Sequence, residues 1–273
     1  MPVRNRRRSL GMRFRSCAMV LGAALAVPLT AAAGEPAKVF STEYSVSFYG
    51  LTVARSTVVS KVSGDRYTID STVESTGLAT FFAKTQAKTS AKGRYDRTGV
   101  KPEGYQVSYV YGKKAKRTGL RFANGKVVSV SNVPALPKRG PDWVPVRSKD
   151  LRAVFDPLSA VLVPARDPAS VCNRTLKAFD GEIRANLALS YVDTGKVSIG
   201  GEERDAVTCA GHFKPIAGYR PANKSLQYLQ TKSRIELKFA QLGETGLYAP
   251  VQASVTTKVG TFSIRAQQIV AVQ

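Results

Sequence analysis

The sequence predicts a mainly β protein: a curled antiparallel sheet that forms an open or spiral-like barrel, with one kinked helix packed into its concave face. Three observations predict this fold. Apolar and polar residues alternate in many short segments, turn residues separate these segments, and one longer stretch has helical spacing. Such alternation is typical of antiparallel sheets with one solvated face, whereas buried parallel strands read as continuous apolar runs.

Six segments show the alternation most clearly. Because successive side chains of a strand point to opposite faces, each segment buries one face and exposes the other. With the weaker segments between them they indicate about a dozen strands, which is the spacing expected of a barrel or sandwich. The segments lie at 44–48, 67–73, 105–111, 187–191, 235–239 and 251–255.

Turn residues mark the reversals between these strands. Asn124-Gly125 is the strongest signal, because this pair readily adopts the backbone of a two-residue hairpin. Residues 134–145 contain four prolines and are predicted to form a loop rather than a domain boundary, since the β pattern continues on both sides. Weaker turn signals are Ser63-Gly64-Asp65, Gly112-Lys113, Gly200-Gly201 and Val259-Gly260.

Two segments depart from the alternation. Residues 77–83 are apolar and are predicted to form a short helical turn. In residues 149–163 the apolar side chains recur at helical spacing, which predicts a kinked helix or two short helices. We expect Ser148 to cap the first turn and Asp156-Pro157 to begin a second. The apolar stripe must be buried, and the concave face of the sheet is its expected partner.

The N-terminus has the layout of a secretory signal peptide. Six arginines up to Arg15 precede an uncharged apolar stretch from Cys17 to Leu29, and Ala31-Ala32-Ala33 fits the cleavage rule. The stretch is shorter than the roughly 20 residues of a membrane span, and no second one follows. We therefore expect residues 1–33 to be cleaved. Residues 34–273 would then form a single β-rich domain, soluble in the periplasm, without a transmembrane segment.

Three alternatives concern the same segment. An uncleaved membrane anchor is disfavoured by the length of the apolar stretch. A lipoprotein is disfavoured because Cys17 lies at the start of that stretch rather than at its end. The general secretory route is favoured over the twin-arginine route, because no motif for a buried cofactor accompanies the paired arginines before Ser9-Leu10.

The chain is strongly basic, with a formal net charge of +22; without the six leader arginines it is 22 − 6 = +16. Basic chains attract anions. After export the abundant anions are phospholipid headgroups, lipopolysaccharide phosphates and acidic envelope polymers, so we do not expect nucleic acid as a partner. The charge is spread along many strands, and a solvated basic surface explains it as well as a binding site does.

Two cysteines remain once Cys17 is removed. In an oxidising compartment Cys172 and Cys209 are expected to form one disulfide. A catalytic thiol at either position is the alternative. A cysteine nucleophile needs an activating base, however, and the chain has one histidine.

The residues of catalytic chemistry are scarce, and we expect no catalytic residue, metal or cofactor. His212 is the only histidine, and neither a serine nucleophile motif nor a set of zinc ligands accompanies it. Glu202 and Glu203 are adjacent and would face opposite ways in a strand, which is poor geometry for a two-carboxylate hydrolase. Glycine-rich phosphate-binding and dinucleotide-binding patterns are missing.

A basic cluster is the first candidate for ligand binding. Its four cations follow two tyrosines at an expected hairpin tip, where they could grip a headgroup phosphate. A solvated hairpin whose lysines block edge-to-edge pairing is the alternative. The cluster consists of Lys113, Lys114, Lys116 and Arg117.

An apolar cluster is the second candidate. Leu78, Phe81 and Phe82 lie in the segment that breaks the alternation and could form the rim of an acyl-chain cavity. Packing in the core is the alternative role for these three side chains.

Four short motifs run through the chain: residues 44–50 (YSVSFYG), 156–160 (DPLSA), Phe179-Asp180-Gly181 with Arg184, and Pro250-Val251. In these motifs the chain resembles the bacterial domain-of-unknown-function family 3108. The resemblance implies an exported, β-rich protein with no assigned catalytic residues. It implies helix capping and turn closure for the matching Asp156, Ser159, Asp180 and Arg184. Curled sheets with a helix in the mouth are also similar to periplasmic lipoprotein carriers, an analogy of fold alone.

We therefore expect a noncatalytic periplasmic protein that supports cell-envelope integrity. It would bind an apolar or anionic envelope component, such as a lipid or the acyl chain of a lipoprotein. One alternative is a scaffold that pairs with another envelope protein through a sheet edge. A hydrolase of envelope polymers is the less favoured alternative.

Overall fold

The computed structural model of the protein describes residues 36–77, 80 and 85–272. Within these residues it contains fourteen strands, two short α-helices and two 3-10 helices. The strands are β1 (Lys38–Phe48), β2 (Leu51–Ser63), β3 (Arg66–Ser75), β4 (Thr85–Asp96), β5 (Gly99–Tyr111), β6 (Lys114–Ala123), β7 (Lys126–Val133), β8 (Val163–Pro164), β9 (Arg174–Phe179), β10 (Arg184–Ile199), β11 (Glu202–Ala217), β12 (Ile235–Gln241), β13 (Leu247–Thr257) and β14 (Gly260–Val272). The α-helices are α1 (Pro157–Ala160) and α2 (Lys224–Thr231), and the 3-10 helices are Ser148–Leu151 and Pro168–Val171.

All the strands belong to one sheet, and every pair in it is antiparallel. The order is β7-β6-β5-β4-β3-β2-β1-β14-β13-β12-β11-β10-β9, and the short β8 pairs with β13. The first strand, β1, pairs with the last strand, β14, for example at Phe48 and Phe262. The two edge strands β7 and β9 do not pair, so the sheet is open. The predicted fold class, an open antiparallel sheet with little helix, is confirmed.

The gap between the two edge strands is covered by the segment that connects β7 to α1. Arg152 forms an isolated β-bridge with Lys126 of β7, and Phe155 forms one with Ala178 of β9. The side chain of Asn132 on β7 also donates a hydrogen bond of 3.2 Å to the carbonyl oxygen of Gly181. This segment satisfies backbone groups at the start of β7 and on β9, whereas the rest of β7 remains an edge of the described sheet.

The structure has turns at the positions that the turn residues predicted. Asn124 and Gly125 both have positive φ, at 51° and 69°, as the mirror-image turn of a two-residue hairpin requires. Gly112 and Gly200 lie in the turns after β5 and β10. The proline-rich residues 134–145 form a loop, as predicted.

The helical segment differs in detail from its prediction. Two short helices replace a kinked helix over 149–163, which was the second of the two forms that the spacing allowed. The backbone between them is extended because Phe155 pairs with β9, and Ala153 has a φ of 51°. The expected cap at Ser148 is wrong: the 3-10 helix begins at Ser148, and Arg147 occupies the cap position.

The second predicted cap is present. The Asp156 side chain accepts hydrogen bonds from the backbone N–H groups of Leu158 and Ser159, at 3.1 Å and 2.9 Å. Pro157 occupies the first position of α1, where its missing N–H costs nothing. Asp180 closes the turn before β10 in a similar way, by accepting from the N–H groups of Glu182 and Ile183.

The predicted disulfide is formed. Cys172 follows the second 3-10 helix, Cys209 lies on β11, and their Cα atoms are 5.7 Å apart. Both side chains are buried in a cluster with Val207 and Phe239. The bridge therefore ties the segment before β9 to β11, the third strand from that edge of the sheet.

Candidate functional site

An apolar cavity lies on the concave face of the sheet, beneath α1. Its volume is about 360 Å³, which is within the range of pockets that hold small apolar ligands. Strands β1–β3 form one wall and strands β12–β14 the other, so the two walls come from parts of the chain about two hundred residues apart in sequence. The hydroxyl of Tyr44 joins the walls by donating a 2.8 Å hydrogen bond to the carbonyl oxygen of Pro250.

The wall from β1–β3 follows directly from strand periodicity. Residues two apart on one strand share a face, so alternate residues of each strand line the cavity. On β2 the lining residues are Ser56, Val58 and Ser60. The small serine side chains leave the space that the cavity occupies, and Ser56 is satisfied by a contact of 3.3 Å with the hydroxyl of Ser71.

The described side chains that line this cavity carry no formal charge. They are aliphatic or aromatic residues with a few hydroxyl groups and the single amide of Gln252. Burial raises the pKa of the Tyr44 hydroxyl, so it stays neutral at physiological pH. An uncharged, largely apolar lining suits a hydrocarbon chain far better than an isolated anion, which would lose its hydration without gaining a partner.

The roof of the cavity is α1 with the residues that follow it. Leu158, Val161 and Leu162 contribute its apolar side chains. One end of the roof is attached to β9, because the N–H of Phe155 donates to the carbonyl oxygen of Lys177 and the N–H of Phe179 donates to that of Phe155, both at 2.8 Å.

A buried polar cluster attaches the roof to the opposite side of the sheet. The hydroxyl of Tyr67 on β3 donates a hydrogen bond of 2.7 Å to the Oγ of Ser159. Asp156 is fully buried beside them, and its Oδ1 caps the helix. No donor among the described residues lies within hydrogen-bond distance of its Oδ2.

Burial controls the ionisation of this cluster. It raises the pKa of the Asp156 carboxyl above its usual value, although the hydrogen bonds from Ser159 and Leu158 oppose the shift. Burial also raises the pKa of Tyr67 and Tyr105, and the charge of Asp156 adds to both shifts. Asp156 therefore caps α1 beside two tyrosine hydroxyls that stay neutral at physiological pH.

The structure describes four of the seven residues that we predicted to bind a ligand. Leu78, Phe81 and Phe82 lie outside the described residues. The basic cluster lies on the β5–β6 hairpin, as expected, and its four side chains are exposed. Lys116 has its Nζ 5.9 Å from the centre of the Tyr109 ring. None of the four cations lines the apolar cavity.

Arg117 points to a different region from the cavity. It lies in a polar groove of about 530 Å³ that crosses β2–β6 and that also contains Lys88 and Asp70. Two cations and one carboxylate there leave a small positive excess at an open surface. The apolar cavity beneath α1 and the basic cluster are therefore separate features of the molecule.

The residues of catalytic interest are dispersed. His212 is exposed on β11, where it pairs with Ala188 of β10. Glu202 forms an ion pair of 2.8 Å with Arg204 near the β10–β11 turn. No three or more histidine, cysteine or acidic side chains in the described part of the chain are grouped to hold a metal ion. None of the helices in that part is long and apolar enough to cross a membrane.

The cavity was not predicted from the sequence. Its lining residues, such as Val46, Val58 and Ile264, look like ordinary core positions of alternating strands. The one available signal was the serine pair on β2, because small polar residues at inward positions leave unfilled space. That signal does not reveal which distant strands face them.

The comparisons with known proteins identify a family and show similarity to a solved structure. The profile of a family described as "Protein of unknown function (DUF3108)" matches residues 43–267. No curated protein matches the chain. Among solved structures the chain is similar to a "Beta-barrel-like Protein of Domain of Unknown Function DUF1849 from Brucella abortus", with a TM-score of 0.49 and 9% identity over 86% of this chain and 98% of that one.

Proposed function

The chain belongs to the DUF3108 family, whose function is unknown, and from the geometry of its cavity we propose that it is a noncatalytic binding protein of the bacterial cell envelope. Its ligand is an apolar one, such as the acyl chain of a lipid or of a lipoprotein. The observation that carries this proposal is the uncharged cavity of about 360 Å³ beneath α1.

Burial of hydrocarbon provides the affinity. Removing apolar surface from water contributes roughly 25 cal/mol per Å², and a long acyl chain has enough surface for tight binding. The roof is fastened before α1 to β9 through Phe155 and within α1 to β3 through Ser159. A cavity whose walls are already in place loses little entropy when it is filled.

The proposed location is the periplasm. The leader-like residues 1–33 and the two cysteines support it, because disulfides persist in oxidising compartments. N-terminal sequencing of the protein recovered from a periplasmic extract tests it. A mature chain beginning at Gly34 is expected, and an intact N-terminus in the cytoplasmic fraction would refute export.

Displacement of the fluorescent probe N-phenylnaphthylamine by free fatty acids tests the ligand class. We expect the probe to bind, and fatty acids of increasing length to displace it with increasing strength. The variant Val58→Phe should lower probe affinity about tenfold or more, because the added ring fills space between the cavity walls.

The matched control is Val59→Phe. Val59 is the next residue of β2, so its side chain points to the other face and does not line the cavity. Probe affinity should remain that of the wild type. If the two variants behave alike, or the wild type binds no probe, the apolar-ligand proposal fails.

A second candidate is a scaffold that pairs with another envelope protein through a sheet edge. The observation that favours it is β7, an edge strand on which Val128 and Val133 are exposed. An unpaired strand edge is a template for β-augmentation. Under this proposal, Val128→Lys abolishes crosslinking to a stoichiometric partner while probe binding is absent in both forms. A probe that binds normally favours the cavity proposal instead.

A further inference from the structure

Three hairpin turns lie at one end of the sheet. They are residues 49–50 between β1 and β2, 112–113 between β5 and β6, and 258–259 between β13 and β14. The antiparallel registers place all three at the same end, since β1 pairs with both β2 and β14, and β2 to β5 continue the order. We call this end of the molecule the turn end.

Large apolar side chains project from the turn end into solvent. Tyr49, Leu51 and Val259 are 74%, 62% and 65% exposed. Turns usually carry glycine, asparagine, aspartate or serine at such positions. Tyr49 also has a φ of 49°, in the left-handed region that bulky residues rarely adopt. A strained backbone that displays an aromatic ring to water is an indication of function.

The first and third turns contact each other. The hydroxyl of Tyr49 donates a hydrogen bond of 3.0 Å to the carbonyl oxygen of Val259. Behind them the rings of Phe48 and Phe262 stack with their centres 4.6 Å apart. The exposed side chains of these two turns therefore lie next to a packed pair of rings, Phe48 and Phe262, which we call the aromatic base.

The aromatic base continues the wall of the cavity. Val46 pairs with Ile264 across β1 and β14, and both line the cavity. Phe48 and Phe262 are two residues further along the same strands, so they lie on the same face. A continuous strip of apolar side chains thus leads from the cavity to the turn end.

Charge distinguishes these three turns from the β2–β3 and β4–β5 turns, which lie at the opposite end of the same strands. The three turns and the residues that flank them contain Lys113, Lys114 and Lys258 and, over these described positions, no carboxylate. The turns at the opposite end have carboxylates, at Asp65 and Asp96. Both are paired, with Arg94 and Lys101. Exposed apolar side chains and unpaired lysines therefore coincide at the turn end.

We infer that the turn end docks onto an anionic lipid bilayer. Tyr49, Leu51 and Val259 enter the interfacial region, where aromatic and apolar side chains leave water and the tyrosine hydroxyl still finds polar partners. The three lysines lie over anionic headgroups, which attract them within a Debye length of the surface. This docking goes beyond ligand binding and holds with an empty cavity. If the cavity also binds acyl chains, docking places its wall beside their source.

Vesicle co-sedimentation tests the docking. The mature protein should sediment with vesicles of phosphatidylethanolamine and phosphatidylglycerol and stay in solution with vesicles of phosphatidylcholine. The variant with Tyr49→Asn, Leu51→Thr and Val259→Thr should lose roughly tenfold or more of its partitioning. Asparagine is chosen at position 49 because it tolerates the left-handed backbone.

The control variant carries Val192→Thr and Val270→Thr, at positions that are 52% and 43% exposed and lie away from the three turns. It should partition like the wild type. Probe binding in the cavity should be unchanged in both variants, so loss of docking and loss of the ligand site are distinguished. The inference is overturned if the wild type ignores anionic vesicles or if the turn-end variant binds them as well as the control.

A fluorescence measurement gives a second readout that does not depend on affinity. Trp143 is the only tryptophan, so Leu51→Trp in a Trp143→Phe background reports on the turn end alone. Its emission should shift to shorter wavelength with anionic vesicles, whereas the emission of Val192→Trp in the same background should not shift. An unshifted Trp at position 51, or a wild-type dimer that the turn-end variant converts to a monomer without any vesicle binding, contradicts the inference.

Discussion

The hydroxyl of Tyr67 and the Oγ of Ser159 form a buried hydrogen bond of 2.7 Å between β3 and α1. Other attachments that hold the helix across the concave face are the bridge of Phe155 to β9 and the pairing of β8 with β13. Leu158 of this helix and Leu162, two residues after it, line the cavity. The hydrogen bond therefore holds the cavity roof in place.

The variant Tyr67→Phe should lower the free energy of unfolding by about 1–1.5 kcal/mol, since it removes one buried hydrogen bond and keeps the ring. A double-mutant cycle with Ser159→Ala should give a coupling of about 1 kcal/mol. Urea unfolding of the four proteins measures both quantities. Strictly additive effects would mean that the two hydroxyls do not interact.

Asp156 should tolerate asparagine better than alanine. Asparagine keeps the oxygen that accepts from the N–H groups of Leu158 and Ser159, whereas alanine removes it and should cost about 1–2 kcal/mol. Thermal unfolding at neutral pH gives the comparison. Equal losses for the two variants would show that the cap contributes nothing.

The same carboxyl should give a pH dependence. Burial raises the pKa of Asp156 in the folded state, so the unfolded chain releases this proton at lower pH than the folded chain does. The stability of the wild type relative to Asp156→Asn should therefore fall as the pH rises from about 4 to the raised pKa. The neighbouring phenols of Tyr67 and Tyr105, whose pKa values are also raised by burial, stay neutral over this range. A relative stability that rises with pH would contradict the assignment.

Gly93 on β4 should not accept a side chain. A Cβ there would lie 2.4 Å from the carbonyl oxygen of Lys101 and 2.7 Å from the hydroxyl of Tyr67. Gly93→Ala should therefore destabilise the protein by about 1–3 kcal/mol and disturb the bond to Ser159.

Gly104 on β5 is the matched control. A Cβ there would meet only the flexible side chain of Lys92, at 3.4 Å, and no backbone atom closer than 3.9 Å. Gly104→Ala should be neutral or slightly stabilising, because alanine has less conformational entropy to lose. Similar unfolding midpoints for the two alanine variants would show that β4 is not closely packed at Gly93.

Much of the fold could be predicted because its determinants are local. The alternation in residues 67–73 and 105–111 identifies β3 and β5, and Asn124-Gly125 identifies the hairpin between β6 and β7. The disulfide followed from the cysteine count and the expected export. The strand and turn signals depend on residues that are neighbours in sequence, and the disulfide depends on there being only two cysteines after the leader. None of these signals requires knowledge of how the sheet curves.

The helical segment and the cavity could not be predicted for the opposite reason. The spacing from Leu151 to Leu162 resembles one helix, but Val154 is buried and Phe155 half-buried on an extended segment that bridges β7 and β9. The cavity depends on the pairing of β1 with β14 and of β14 with β13, which brings Tyr44 to Pro250 across 206 residues of sequence. Strand periodicity specifies which face is buried and carries no information on which distant strand lies opposite.

Removing the disulfide should cost about 4 kcal/mol, the value that the chain-entropy estimate gives for a loop of this length. The loop spans 37 residues between Cys172 and Cys209. Urea unfolding of the Cys172→Ala, Cys209→Ala variant should give a free energy of unfolding that is lower by that amount. Thiol titration of the denatured, unreduced wild type should find no free thiol in the mature chain, and two free thiols would refute the bridge in the native protein.

Native mass spectrometry with lipid extraction, on mature protein purified from its own periplasm, tests the central claim most directly. The account predicts a discrete added mass that extraction identifies as an acyl-chain compound, present in Val59→Phe and lost in Val58→Phe. A clean mass of the disulfide-bonded chain alone, with no added component in the wild type or in either variant, would contradict it.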